Sequence, residues 1–378
     1  MRNERLYFVV SALAGALWGL SSWIRRLPTL RRRAQKDAPA GDFTRILVIR
    51  MDELGDMVTT LPMLHAIRQE NPYAVVDLWC KPLHKDWLAP QGLVNTFWTG
   101  DSPAPKGRYH WVLECRGNWQ TLLYALRSWP KGRRDRGSIR LWRRLSGQAQ
   151  LHEWDINLEI AAPLLHGRIE AVTRYKTKDQ FETQGGSGPL LHGDDPQAVA
   201  EINLFKQRLD LGKYVVFHAG ARKLLRRWSL QGWADLAQRL HEKFNLDIVF
   251  VGTPEERMDV DRVQQKLNFE TFTFMEGRPI RYLIPLLAQA SLMVGNESGP
   301  MHLASATGCP TVGLFGPGEP EIFSPKAHNF RALHIKLPCN PCGQIRCVYP
   351  DNPCMNRIAV DEVMNAVHDL FKNENSGF

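Results

Sequence analysis

Short runs of apolar residues alternate with amphipathic stretches along most of the chain. The first runs are Arg45–Arg50 (RILVIR), Val75–Trp79 and Tyr109–Glu114, and a helical pattern covers 57–70. Strands that are apolar on both faces and are separated by helices are typical of a parallel sheet that is covered on both sides. The basic stretch 127–147 is predicted to form helix and loop outside that sheet.

The alternation fades between 170 and 198 and then starts again. The second set of predicted strands and helices comprises Tyr214–His218, Gly232–Phe244, Leu246–Gly252, Thr271–Met275, Arg281–Ala290, Leu292–Val294, Gly299–Thr307 and Thr311–Phe315. We therefore predict two Rossmann-like domains that face each other. Ligands in such sheets bind outside the carboxyl ends of the strands, so those ends can line one central cleft.

Composition and charge narrow the class of protein. The 378 residues are 44% hydrophobic and 23% charged, which excludes a disordered or collagen-like chain. Seven unevenly placed cysteines do not form the pattern of a secreted disulfide framework, and a reducing compartment fits them better.

Two basic segments together carry more positive charge than the net charge of +9 of the whole chain. Residues 1–45 contribute +6 and residues 116–144 contribute +8, which leaves −5 for the rest. Tryptophans are interleaved with the second segment, as suits a membrane–water interface or an amphiphilic ligand, while core tryptophans beside a solvated loop are the alternative. Nucleic-acid binding would rest on this segment alone, and no recognised binding motif supports it.

The segment Leu6–Ile24 carries no charged residue. As a helix it would rise roughly 28 Å, close to the hydrocarbon thickness of a bilayer. Arginines follow it from Arg25 onward, which predicts a signal anchor with the body of the protein on the cytoplasmic side. Peripheral attachment and a cleaved signal peptide are the alternatives.

Three loops that follow predicted strands hold residues suited to chemistry. In the first, Asp56 follows Gly55 and is either a helix N-cap or a general base. In the second, Ser298 and Pro300 open a helix whose N-terminus favours a phosphate, and Glu297 and His302 flank it. A well-capped helix with a buried histidine is the alternative there.

The third loop, 218–228, has four cations within six residues, as suits a diphosphate leaving group, although a solvated basic loop is the alternative. A further loop places Glu255 where a carboxylate could bind ribose hydroxyls. The chain has no G-x-G-x-x-G, P-loop lysine, H-E-x-x-H or G-x-S-x-G motif.

Together these loops resemble glycosyltransferase family 9, the ADP-heptose:lipopolysaccharide heptosyltransferase family. The resemblance rests on Arg50-x-Asp52-x-x-Gly55-Asp56 with Pro62, and on the run from Asn296 to Ala304 with Phe315-Gly316-Pro317. It implies an α/β fold of the GT-B type and inverting sugar transfer that requires no metal or other cofactor. The expected donor is ADP-heptose or another nucleotide sugar. The expected acceptor is an anionic glycolipid such as the lipopolysaccharide core.

The resemblance also implies roles for individual residues. Asp56 would be the general base. The residues expected to bind the donor and its phosphates are Arg226 (in place of a family lysine), Arg227, Glu255, Glu297, Ser298, Gly299, Met301 and His302. Glu297 stands where the family usually has Asp, which leaves the donor sugar open. A membrane-anchored protein that binds nucleotide sugars without catalysis is the alternative function.

The predicted organisation follows. An N-terminal hydrophobic anchor and basic linker (1–43) precede an acceptor-side domain (44–185) and a donor-binding domain (186–358). A C-terminal helix (359–378) is expected to return to the first domain. The expected location is the inner membrane, with the catalytic body on its cytoplasmic face.

Two clusters remain ambiguous. Arg133, Arg134 and Arg136 would contact either the anionic acceptor or anionic lipid. Four cysteines could hold a structural zinc ion, pair as disulfides or stay free, and they are Cys339, Cys342, Cys347 and Cys354.

Overall fold

The structure is a computed structural model. It describes residues 10, 13, 44–100, 105, 108–128, 130–165, 189–342, 345–351 and 353–375. The chain divides into two compact units, Met1–Phe181 and Glu182–Phe378. The predicted N-terminal hydrophobic helix lies almost entirely outside the described residues. Within the part of the chain that is described, no helix is both long enough and apolar enough to cross a membrane.

The first unit is built on a five-stranded parallel sheet in the order β3-β2-β1-β4-β5. Its strands are β1 (Arg45–Arg50), β2 (Val75–Cys80), β3 (Thr96–Thr99), β4 (Trp111–Arg116) and β5 (Gly132–Asp135). Its helices are α1 (Leu54–Val58), α2 (Leu61–Glu70), α3 (Pro82–Leu88), α4 (Trp119–Ser128), α5 (Arg136–Leu145) and α6 (Glu153–Ala161), with short 3₁₀ turns at Ala89–Gln91 and Ala162–Leu164.

The edge strand β5 corrects the prediction that 127–147 lies outside the sheet. Its sequence, Gly-Arg-Arg-Asp, has no apolar pattern, yet it pairs in parallel with β4. Gly132 makes this pairing feasible, because a Cβ there would lie 2.3 Å from the ring of Trp111. Arg133 and Asp135 pair their charges with each other in place of apolar burial.

The predicted helix 57–70 is two helices, α1 and α2. The hydroxyls of Thr59 and Thr60 both donate to the carbonyl oxygen of Asp56, at 2.8 and 3.0 Å. Pro62 stands in the first turn of α2, where the missing N–H is no loss. The break turns the chain immediately after the loop that follows β1.

The second unit has a six-stranded parallel sheet in the order β11-β10-β9-β6-β7-β8. Its strands are β6 (Tyr214–His218), β7 (Asp247–Val251), β8 (Phe272–Phe274), β9 (Leu292–Asn296), β10 (Thr311–Phe315) and β11 (Phe330–His334). Its helices are α7 (Pro196–Arg208), α8 (Leu230–Phe244), α9 (Arg257–Gln264), α10 (Ile280–Ala288), α11 (Gly299–Ala306), α12 (Pro320–Phe323) and α13 (Val360–Asn375), with 3₁₀ turns at Leu224–Arg226, Pro254–Glu256 and Cys354–Arg357.

The strands β6, β7, β9 and β10 are almost wholly buried, and their side chains form the core of this unit together with α8 and α13. We expected the last helix to return to the first domain. The structure shows its apolar face, with Val363, Val367 and Leu370, buried in the core of the second unit.

Strand order locates the candidate site in each unit. In the second sheet, β7 and β8 follow on one side of β6, and β9 lies on the other side of β6. Likewise β4 lies on the opposite side of β1 from β2 and β3. The loops therefore diverge at the carboxyl ends of β6 and β9, and at those of β1 and β4. Such switch points are where ligands bind in open α/β sheets.

Candidate functional site

The second unit brings the ends of β6 and β9 together around Ser298. We call Ser298, Arg226 and the start of α11 the Ser298 corner. This residue precedes α11, and its side chain makes no capping hydrogen bond to that helix. Its Oγ donates to the carbonyl oxygen of Asn296 at 2.8 Å and lies 2.9 Å from Nδ1 of His218. The first amides of α11 are thus not capped by Ser298, and a helix start of this kind favours an anion.

Other residues of the predicted phosphate loop differ in what they can offer. The side chain of Met301 is fully buried, and its sulfur lies 2.6 Å from where a Cβ on Gly313 would stand. Met301 can therefore contribute only its backbone N–H to a ligand, as can Gly299. His302 is also buried.

Glu297 is a buried carboxyl at the same corner, only 5% exposed. Its Oε1 lies 3.2 Å from Nη1 of Arg226. Its Oε2 is buried with no hydrogen-bond partner among the residues that the structure describes. Burial raises the pKa of Glu297 to about 7, although Arg226 and Lys223 oppose the rise.

The two arginines predicted to neutralise a diphosphate are not equivalent. Arg227 donates to Asp259 at 2.7 Å and to the carbonyl oxygen of Ala221 at 2.9 Å. Its guanidinium is thereby fixed by the protein. Arg226 contacts Glu297, in which burial favours the neutral carboxyl. Arg226 is therefore the better candidate for a ligand's negative charge.

The two neighbouring carboxylates Glu255 and Glu256 have different surroundings, and the role of Glu255 at ribose hydroxyls stays a prediction. Glu255 is exposed, whereas Glu256 is buried with Oε2 3.4 Å from Nε2 of His218. Burial would raise the pKa of Glu256, but His218, the amide of Thr253 and Arg227 together hold it below its usual value. A pair formed across 38 positions leaves no local pattern by which the sequence could reveal it.

Asn296 is a second residue that the sequence did not single out for a role. Its amide donates to the carbonyl oxygens of Ala219 and Gly220 and accepts from the backbone N–H of Trp228. The side chain thereby ties the loop after β6 to the end of β9. This bridge fixes the geometry on which the Ser298 corner depends.

In the first unit, Asp56 lies in the first turn of α1, the helix that follows β1 at the switch point of the sheet. The helix begins at Leu54 with Glu53 as its N-cap, so the alternative that Asp56 is an N-cap is wrong. The Asp56 side chain is about one-third exposed, and its Oδ1 lies 3.4 Å from Nη2 of the fully buried Arg50. Burial would lower the pKa of Arg50, but Asp52 and Asp56 raise it, so the guanidinium stays charged.

The three arginines predicted to contact acceptor or lipid do not form an open basic surface. Arg133 is buried and pairs with Glu114 at 2.6 Å and with Asp135 at 3.2 Å. Arg136 is buried against Glu153. Arg134 is half-buried and donates to a backbone carbonyl of α6. Carboxylates thus compensate Arg133 and Arg136 inside the unit, which corrects the prediction for both.

The four C-terminal cysteines line one small cavity of about 30 Å³ and are all free thiols. The cysteines are Cys339, Cys342, Cys347 and Cys354. Over the described part of the chain, no group of three or more His, Cys, Asp or Glu side chains is arranged to hold a metal ion. The structural zinc site therefore stays a prediction.

Comparison with known proteins shows what this chain is similar to. A model described as glycosyltransferase family 9 (heptosyltransferase) matches residues 171–352. Lipopolysaccharide heptosyltransferase 2 of Escherichia coli is 24% identical over 77% of this chain and 88% of its own length. Lipooligosaccharide heptosyltransferase 2 of Campylobacter jejuni is 26% identical over 39% of this chain. This chain spans about half, 47%, of that relative's length.

Solved structures show the same fold. A family 9 glycosyltransferase from Veillonella parvula matches with a TM-score of 0.70 and 17% identity, covering 89% of this chain and all of that one. The E. coli ADP-heptose lipopolysaccharide heptosyltransferase II matches with a TM-score of 0.65 and 18% identity, covering 88% of this chain and all of that one. The predicted α/β fold with parallel sheets is thus confirmed, and the chain is similar to the heptosyltransferases of glycosyltransferase family 9.

Proposed function

We propose that this protein is an inverting, metal-independent glycosyltransferase. It moves a heptose or a related sugar from an ADP-sugar or similar nucleotide sugar to a glycan of the lipopolysaccharide core or another cell-surface glycan. The Ser298 corner carries the proposal. It combines an uncapped helix start, a serine hydroxyl and the guanidinium of Arg226 at one switch point. These groups suit the diphosphate of a nucleotide sugar.

The residues supply each charge that the reaction needs. Asp56 takes the proton of the acceptor hydroxyl, and the acceptor oxygen bonds to the anomeric carbon from the face opposite the nucleotide. The bond from that carbon to the diphosphate oxygen breaks, and the nucleoside diphosphate leaves with the electron pair. Arg226 and the start of α11 stabilise the charge that develops on the leaving group.

Arg50 supports the role of Asp56. The buried guanidinium of Arg50 lies 3.4 Å from the carboxylate and holds it in place. The partial exposure of Asp56 leaves the carboxylate accessible to a substrate hydroxyl. The names of the E. coli and C. jejuni relatives support a heptose donor. The position of Glu297 in place of aspartate leaves the identity of the sugar for experiment.

The acceptor and the location belong to the same proposal. Heptosyltransferase relatives favour a lipopolysaccharide-core acceptor, which is an anionic glycolipid at a membrane surface. The uncharged Leu6–Ile24 segment and the arginines that follow it support attachment to the inner membrane from the cytoplasmic side.

Asp56→Asn tests the assignment. The substitution keeps the size of the side chain but removes the proton acceptor, so we expect sugar transfer to fall by about 10²- to 10⁴-fold. Nucleotide binding should persist, because Asp56 is not one of the residues of the Ser298 corner. The measurement pairs thermal shifts against a panel of nucleotide sugars with transfer of the stabilising sugar to purified lipopolysaccharide core.

Asp86→Asn is the matched control, since Asp86 is exposed on α3 of the same unit. It should transfer sugar at the unsubstituted rate. Normal transfer by Asp56→Asn would refute the general-base assignment. Donor binding without transfer by the unsubstituted chain, to any acceptor of a broad glycan panel, would favour a non-catalytic nucleotide-sugar-binding protein.

A further inference from the structure

The hydrogen bonds around Ser298 fix where its single proton lies. The carbonyl oxygen of Asn296 is 2.8 Å from Ser298 Oγ and can only accept, so the hydroxyl proton points to it. The second contact of Oγ, at 2.9 Å to Nδ1 of His218, then requires a proton from the ring. Nδ1 of His218 is therefore the donor.

The other side of the ring faces a carboxylate. Nε2 of His218 lies 3.4 Å from Oε2 of Glu256, which also accepts from the amide of Thr253 at 2.9 Å. Both ring nitrogens thus face oxygen acceptors.

We propose that His218, oriented by Glu256, is a positioning residue that keeps the hydroxyl of Ser298 a hydrogen-bond donor toward the anion at the start of α11. The inference rests on the proposed function, because that anion is the diphosphate of the donor. With Nδ1–H holding Oγ, the hydroxyl proton can turn from the Asn296 carbonyl to a phosphate oxygen. If Nδ1 were an acceptor it would take that proton, and the oxygen of Ser298 would repel the phosphate.

The burial of His218 and Glu256 supports a built arrangement. His218 is 4% exposed and Glu256 is 8% exposed. A side chain at position 220 would displace the carboxylate of Glu256, because a Cβ on Gly220 would lie 1.9 Å from Glu256 Oε1. The carboxylate is therefore held between the loops after β6 and β7, where it can orient the ring.

The test measures binding of ADP, and separately of inorganic pyrophosphate, by titration calorimetry on the full-length chain. His218→Leu and Ser298→Ala should each weaken ADP binding about tenfold, the effect of one hydrogen bond to a charged group. The double variant should bind no more weakly than Ser298→Ala, because His218 acts through that hydroxyl. His218→Asn, whose amide can donate in place of Nδ1, should restore most of the affinity.

His241→Leu is the matched control. His241 lies on α8, where its ring stacks on Phe269, and it is outside the Ser298 corner. The ADP affinity of this variant should therefore not change. Selective ¹⁵N labelling of histidine provides an independent readout on the unsubstituted chain, where the signal lost in His218→Asn should show a protonated Nδ1. This readout does not depend on the binding measurements.

Three results would overturn the inference. They are unchanged ADP affinity in His218→Leu, multiplied losses in the double variant, and an unprotonated Nδ1 in the NMR spectrum. Failure of the proposed function has a different signature. The unsubstituted chain would then bind neither ADP nor pyrophosphate, while the spectrum would still decide the state of His218.

Discussion

Glu297 should make the second unit less stable as the pH rises. Its carboxyl is 5% exposed, and burial raises its pKa from 4.5 to about 7. A carboxyl whose pKa is higher in the folded state binds more protons there than in the unfolded chain. Its contribution to stability is therefore full below pH 4.5 and is lost as the pH rises through 7.

The size of the effect follows from the two pKa values. The difference between 4.5 and about 7 corresponds to about 3 kcal/mol of unfolding free energy. Glu297→Gln removes the ionisation and keeps both the size of the side chain and an oxygen that can accept from Arg226. We expect the variant to be more stable than the unsubstituted chain by up to about 3 kcal/mol at pH 8, with the gap closing by pH 4.5.

The assay is urea unfolding of both chains across pH 4.5 to 8, compared as a difference so that the titration of all other groups cancels. Glu321→Gln is the control, because Glu321 is exposed on α12 and its replacement should give no such gap. The reasoning would be refuted if the difference in unfolding free energy between Glu297→Gln and the unsubstituted chain were the same at pH 4.5 and pH 8.

Two further predictions concern single contacts. Gly220→Ala should weaken ADP binding severalfold, because its Cβ would displace the carboxylate of Glu256, whereas Gly100→Ala meets nothing within 4 Å and should bind ADP normally. Glu114→Gln should destabilise the first unit by about 3 kcal/mol in urea unfolding, because it leaves the buried charge of Arg133 only partly paired. Adding Arg133→Met should recover much of that loss, and no recovery would contradict the pairing.

Local pattern was enough to predict most of the fold. The strands with continuous apolar sequence, such as Arg45–Arg50 and Tyr214–His218, lie where the pattern places them. The missed strands β3, β5 and β11 all lie at sheet edges, where one flank needs no apolar partner and the apolar pattern in the sequence is weaker. Edge strands depend on the sheet that they join.

The candidate site divides in the same way. Ser298 and Glu297 could be found because a strand end, a serine and a proline stand next to each other in the sequence. His218 and Glu256 could not, because their roles arise from contacts across 80 and 38 positions of the chain. The buried state of Arg133 was equally hidden, since a count of charges carries no information about which of them meet inside the fold.

The glycines beside the two buried carboxylates explain how the second unit accommodates both. A Cβ on Gly220 or Gly252 would lie within 2.7 Å of the carboxylate of Glu256, and one on Gly318 would lie 2.1 Å from Glu297. None of the three has a backbone conformation that requires glycine. Their role is therefore space rather than flexibility. Glycines in the loops after β6, β7 and β10 leave room for two acidic groups, one that orients a histidine and one that lies beside Arg226. The Glu297 carboxyl gains little for folding, since burial disfavours its charge, and its value lies in the ligand that the site holds.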